Sequence, residues 1–146
     1  MSLLDPRLIA SAVRLDRAER AGAARALGWL IAASVAVRVL SYSMITRLIG
    51  RIPAARSPRT AMTPAECATA IRRAVRIWPA QCLPQAIAGS CLLRRSGRVP
   101  TVTLGVAAEG GRVDAHAWLR CDGVTVTGGG VDRHYTPLAA ARRQAP

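Results

Sequence analysis

The stretch Gln81-Cys82-Leu83-Pro84-Gln85-Ala86-Ile87-Ala88, running on through Leu92-Leu93-Arg94-Arg95-Ser96-Gly97, decides how the rest of the chain is read. Pro79 lies just ahead of the cysteine, Pro84 falls in the first turn, and Gly97 follows a basic last turn, so the pattern predicts a helix from about Cys82 to Ser96. Cys82 then stands at the positive end of that helix. Unpaired N–H groups and the macrodipole favour an anion there, which suits a thiolate and leaves donors for a developing oxyanion. A cysteine met at random is more often a buried, inert core residue. What sets Cys82 apart is Ala115-His116-Ala117-Trp118 downstream, which offers a base on a strand.

Beyond the helix the pattern changes period. Thr101-Val102-Thr103-Leu104-Gly105-Val106 alternates and is β-branched, Glu109-Gly110-Gly111 is a turn, Val113 to Cys121 is a second strand, and Asp122-Gly123 signals a hairpin into Val124-Thr125-Val126-Thr127. Helices followed by an antiparallel sheet make an α+β fold. His116 follows Cys82 by 34 residues, enough chain for a helix and a strand to return to the helix start. His134 is the poorer base, because it lies beyond Gly128-Gly129-Gly130 in an apparent loop.

The ordered pattern Cys-Leu-Pro-Gln-Ala, Leu-Leu-Arg-Arg-Ser-Gly, Leu104-Gly105-Val106, His116-Ala117-Trp118 with Asp122-Gly123, and Tyr135-Thr136-Pro137-Leu138 resembles the transglutaminase-like cysteine proteases of lasso peptide biosynthesis. The resemblance covers about residues 66 to 138. It implies a transglutaminase/papain-like core, with the cysteine helix packed on a small antiparallel sheet and the histidine projecting from a strand towards it. It also implies removal of the leader from a ribosomal precursor peptide, with Cys82 as nucleophile and His116 as base. Short members of the family commonly work with a separate leader-binding protein. The implied partners are therefore the lasso precursor, that protein and the lasso cyclase. No cofactor is expected.

The family's third catalytic member is usually an aspartate about a dozen residues after the histidine, where this chain has Gly128. Pairing around Asp122-Gly123 also brings residues near 128 and 129 opposite 116. Asp122 is six residues along the strand from His116, roughly 20 Å at about 3.3 Å per residue, and too far. Asp132, just past the glycines, and Asp114, on the face of His116, are the substitutes; Asp132 is preferred because a glycine run can fold it back. The alternative reading is a catalytically weak scaffold that binds precursor or cyclase.

The first 50 residues read as a helical extension, residues 51–60 as a Pro- and Arg-rich linker, and residues 61–146 as the peptidase core. Asp5-Pro6 marks a helix start, a break near Gly22 is allowed, and the helical pattern runs from Ala23 to about Ile49. Its apolar run from Ala26 to Val37 is shorter than the roughly 20 residues of a membrane span, so packing on the core or on a partner is expected, with peripheral membrane contact as the lesser reading. Thr63-Pro64-Ala65-Glu66 has the capping-box layout, and Cys67, Ala70, Ile71, Ala74 and Val75 share the apolar face that follows.

A net charge of +13 invites a nucleic-acid reading. Against it, all 21 basic residues are arginine, Phe is absent, and the Trp and Tyr residues make no stacking motif. An acidic peptide or protein partner fits such a surface better. Acidic and basic residues precede any long apolar run, so no signal-peptide layout opens the chain and the cytoplasm is expected. The four cysteines, Cys67, Cys82, Cys91 and Cys121, match neither a disulfide framework nor a zinc-ligand spacing.

Overall fold

The structure, a computed structural model, describes residues 15–55, 61–130 and 135–140. Four helices precede a four-stranded antiparallel sheet: α1 (Arg17–Val39), α2 (Tyr42–Gly50), α3 (Pro64–Ile77), α4 (Cys82–Arg95), β1 (Thr101–Glu109), β2 (Arg112–Cys121), β3 (Val124–Thr127) and β4 (Thr136–Ala140). The strand order is β3-β2-β1-β4. This is the expected α+β fold.

Local chemistry explains most boundaries. Both halves of the capping box form at α3: the Thr63 side chain accepts from Glu66 N–H at 3.2 Å, and Glu66 accepts from Thr63 N–H at 2.7 Å. Asp16 and Glu19 do the same for α1. The Asp122-Gly123 turn has positive φ at both positions, 51° and 76°, as a tight two-residue hairpin of matching twist requires.

Two expectations need correction. A single helical pattern from Ala23 to Ile49, with a break near Gly22, gives way to a helix that runs unbroken through Gly22 and stops at Leu40. Ser41, with extended backbone, caps a new helix by accepting from Met44 N–H at 3.4 Å. Gly22 serves close packing, since a Cβ there would lie 2.8 Å from Met62 Cε. Of Tyr135-Thr136-Pro137-Leu138, read only as a motif, the last three residues open the edge strand β4. An edge is where a strand tolerates proline, and the register shifts beside Gly105 to accept it. The helix start at Asp5-Pro6 lies outside the described residues.

One hydrophobic core spans both layers. Ala26, Leu30 and Ala33 of α1, Ile45 and Ile49 of α2, Cys67, Ile71 and Ala74 of α3, and Ile87, Leu92 and Leu93 of α4 meet Ala117, Leu119, Cys121 and Val126 of the sheet. Leu30, Ile71, Leu93 and Leu119 are the largest fully buried side chains; each contributes about 1.5–3 kcal/mol by leaving water. Leu119→Ala would cost about 2–5 kcal/mol. At Gly89 the helix comes so near the sheet that a Cβ would sit 2.6 Å from Leu119 Cδ2. Arg98 ties the layers polarly: its Nε donates to Met62 O at 2.9 Å while its NH1 pairs with Asp122.

Candidate active site

Cys82 is the first residue of α4, half-buried against the core. Gln81 takes the N-cap position without a side-chain hydrogen bond, and Pro84 has no N–H to offer, so among the described residues α4 starts without a side-chain cap. Gln85 folds back to donate from Nε2 to Ala80 O at 2.7 Å, fixing the approach to the cysteine. The thiol thus stands at the positive end of α4, the kind of position whose first-turn backbone N–H groups suit an oxyanion.

The other three cysteines sit in different surroundings. Burial pushes the Cys67 and Cys91 thiols up to about 12, and Cys121 is raised by burial and by nearby Asp122. All four are free thiols. Among the described residues no group of three or more His, Cys, Asp or Glu is arranged to hold a metal.

His116 is half-buried on β2. Alternation along that strand sends Ala117, Leu119 and Cys121 into the helical core and sets Asp114, His116 and Trp118 on the other side. The imidazole lies between two rings, with centroids 6.2 Å from Trp118 and 5.1 Å from Tyr135. Gly105, paired with His116, leaves the room for this: a Cβ there would come within 2.8 Å of both Trp118 and Tyr135 atoms.

His116 Nε2 lies 3.0 Å from Gly128 O. A carbonyl only accepts, so Nε2 carries the hydrogen and Nδ1 is the nitrogen that takes up a proton. The place where the sequence lacks an acid is therefore filled by main chain. Gly128 has φ +73°, and a Cβ there would meet Ala117 O at 2.5 Å, Trp118 Cβ at 2.8 Å and His116 Nε2 itself at 3.0 Å. No sequence motif points to a backbone carbonyl; the one available signal was the glycine.

Asp114 accepts from the Tyr135 hydroxyl at 2.6 Å and so anchors one of the rings beside His116. Asp122 is paired with Arg98. Asp132 lies outside the described residues, as does His134. No hydrogen bond joins Cys82 to His116 among the described residues. Catalytic contacts of this kind are often long before substrate arrives.

Residues 27–140 match the model of the transglutaminase-like superfamily, and the chain belongs to that superfamily. Its fold is typical of cysteine protease and transglutaminase enzymes. No curated protein and no solved structure matches the chain.

Proposed function

We propose that the protein is a cysteine peptidase that removes the leader from a ribosomally made lasso precursor peptide, in the cytoplasm, with a separate leader-binding protein and the lasso cyclase as partners. The observation that carries the reading is the state of His116: its Nε2 hydrogen is held by Gly128 O, which leaves Nδ1 as a base, in a chain whose Cys82 opens an uncapped helix. The superfamily match supports the cysteine-enzyme class, and the ordered motifs from Cys82 to Leu138 support the substrate class.

In this mechanism Nδ1 of His116 takes the Cys82 proton, and the thiolate adds to the scissile carbonyl. The Cys82 N–H and a neighbouring donor hold the oxyanion. Collapse breaks the peptide bond, the leaving amine receives the proton from His116, and a thioester remains. Water, deprotonated by the same nitrogen, then hydrolyses the thioester and restores the thiol. His116 lies on the sheet face away from the helical core, so the mechanism requires imidazole and thiol to be brought within reach of each other when substrate binds.

Mass spectrometry of the precursor incubated with its leader-binding partner tests this. Cys82→Ala and His116→Ala each abolish leader release while the fold persists. Release by Cys82→Ala above background would end the peptidase reading. The absent bond between Cys82 and His116 favours one second reading, a scaffold that binds precursor or cyclase without cutting; binding by the unaltered protein with no release would establish it.

A further inference from the structure

Between Glu19 and Glu66 the sequence holds seven arginines and not one acidic residue. The same segment builds α1 and α2. Between Arg25 and Arg38, α1 carries no charge on any side. One side packs on α3 and α4, and the opposite side is left open: Ile31, Val35 and Val39, spaced by four, are 37%, 54% and 70% exposed. Met44 and Leu48 of α2 are 47% and 50% exposed. Between the two helices opens an apolar recess of about 200 Å³ lined by Trp29, Ala36, Leu40, Leu48 and Ile52 among others.

A long apolar helix that belongs only to a soluble core is buried over most of its surface. In the most apolar 18-residue window of α1, with mean hydropathy 1.3, only 28% is buried. The helix is also fastened along one flank, by Arg73 to Glu19 at 3.2 Å and by Trp78 Nε1 to Ser34 Oγ at 3.3 Å. A helix held sideways in this way lies along a surface. Exposed Arg38, Arg47 and Arg51 flank the apolar ridge. A second copy docked on this face would bring like charges together.

We propose that the α1–α2 face docks on an anionic lipid bilayer, with Ile31, Val35, Val39, Met44 and Leu48 in the boundary between headgroups and acyl chains and Arg38, Arg47 and Arg51 on the lipid phosphates. An amphipathic interfacial helix binds by the same combination of buried apolar area and attraction to anionic lipid.

The test is sedimentation of the full-length chain with vesicles of phosphatidylcholine alone or mixed with phosphatidylglycerol. The chain pellets with the mixed vesicles and stays in solution with the neutral ones, and added salt releases it. Val35→Glu with Leu48→Glu lowers partitioning at least tenfold. The triple change Arg38→Gln, Arg47→Gln and Arg51→Gln lowers it about a hundredfold, at roughly fivefold per arginine. Circular dichroism of these exposed-site variants stays as in the parent. Leader release in vesicle-free solution is unchanged by them, so this surface and the peptidase reading stand or fall separately. Four results would overturn the proposal: no pelleting with mixed vesicles, undiminished binding by the double glutamate variant, equal capture by soluble polyglutamate, or a dimer that the same variant disperses.

Discussion

Aspartate placed at residue 128 supplies the side chain that the family pattern leads one to expect, and the structure requires that it fail. The backbone there has φ +73°, a conformation that costs a residue with a Cβ on the order of 1–2 kcal/mol, less for aspartate than for most. The Cβ would stand 2.5 Å from Ala117 O and 3.0 Å from His116 Nε2, so the main chain must move away from the imidazole. Overpacking of this kind adds about 1–3 kcal/mol to the loss of stability. Movement breaks the bond from Nε2 to Gly128 O, and a hydrogen bond to a group that becomes charged is worth about 1.5–3 kcal/mol. At 1.36 kcal/mol per tenfold, kcat falls roughly 10- to 150-fold with little change in KM. Gly128→Ala shows the same loss without adding an acid. The assay is steady-state leader release beside ¹⁵N NMR of the histidines, which reads the His116 tautomer in the resting protein. A Gly128→Asp enzyme as fast as the parent, or a Gly128→Ala enzyme within threefold of it with Nε2 still protonated, would refute the reasoning.

Two further predictions concern the acids and the thiols. Asp114→Asn keeps an acceptor for the Tyr135 hydroxyl, and Asp132→Asn leaves the Gly128 carbonyl in place, so each changes kcat by less than about threefold, roughly 0.6 kcal/mol; a larger fall for either in the leader-release assay would give that carboxylate the orienting role. Cys67 and Cys91 keep their protons in the fold until about pH 12, whereas their ordinary value is 9.0. The unfolded chain therefore loses those protons first, and the stability they lend below pH 9 drains away between pH 9 and 12, by on the order of 1 kcal/mol per pH unit per thiol. Urea midpoints across that range measure it, and a flat profile from pH 9 to 11 would contradict it.

Elements whose ends are written in side chains were legible in the sequence. Thr63 and Glu66 announced α3, the Pro79-to-Gly97 frame announced α4, and Asp122-Gly123 announced the hairpin of β2 and β3. The break at Leu40 was not, because apolar residues continue through it and Ser41 is a quiet signal beside them. Strand β4 was hidden by Pro137, whose tolerance depends on lying at a sheet edge, a fact of tertiary pairing. Cys82 and His116 were picked out by position and by family likeness. The partner of His116 was not, since every residue carries a carbonyl and only folding decides which one meets a ring. Asp114 stood on the face of His116, as alternation implied, yet Tyr135, just ahead of β4, claims it.

Gly89 lies seven residues after Cys82, two turns along the same helix, at the place where helix and sheet nearly touch. A single hydrogen there lets the Leu119 side chain lie directly against the helix backbone. A larger substituent must displace the buried Leu119 side chain or press the helix that begins at Cys82 away from the sheet that carries His116. The spacing between the helix that begins at Cys82 and the sheet is in that sense set from the middle of α4, by a residue that has no chemistry of its own.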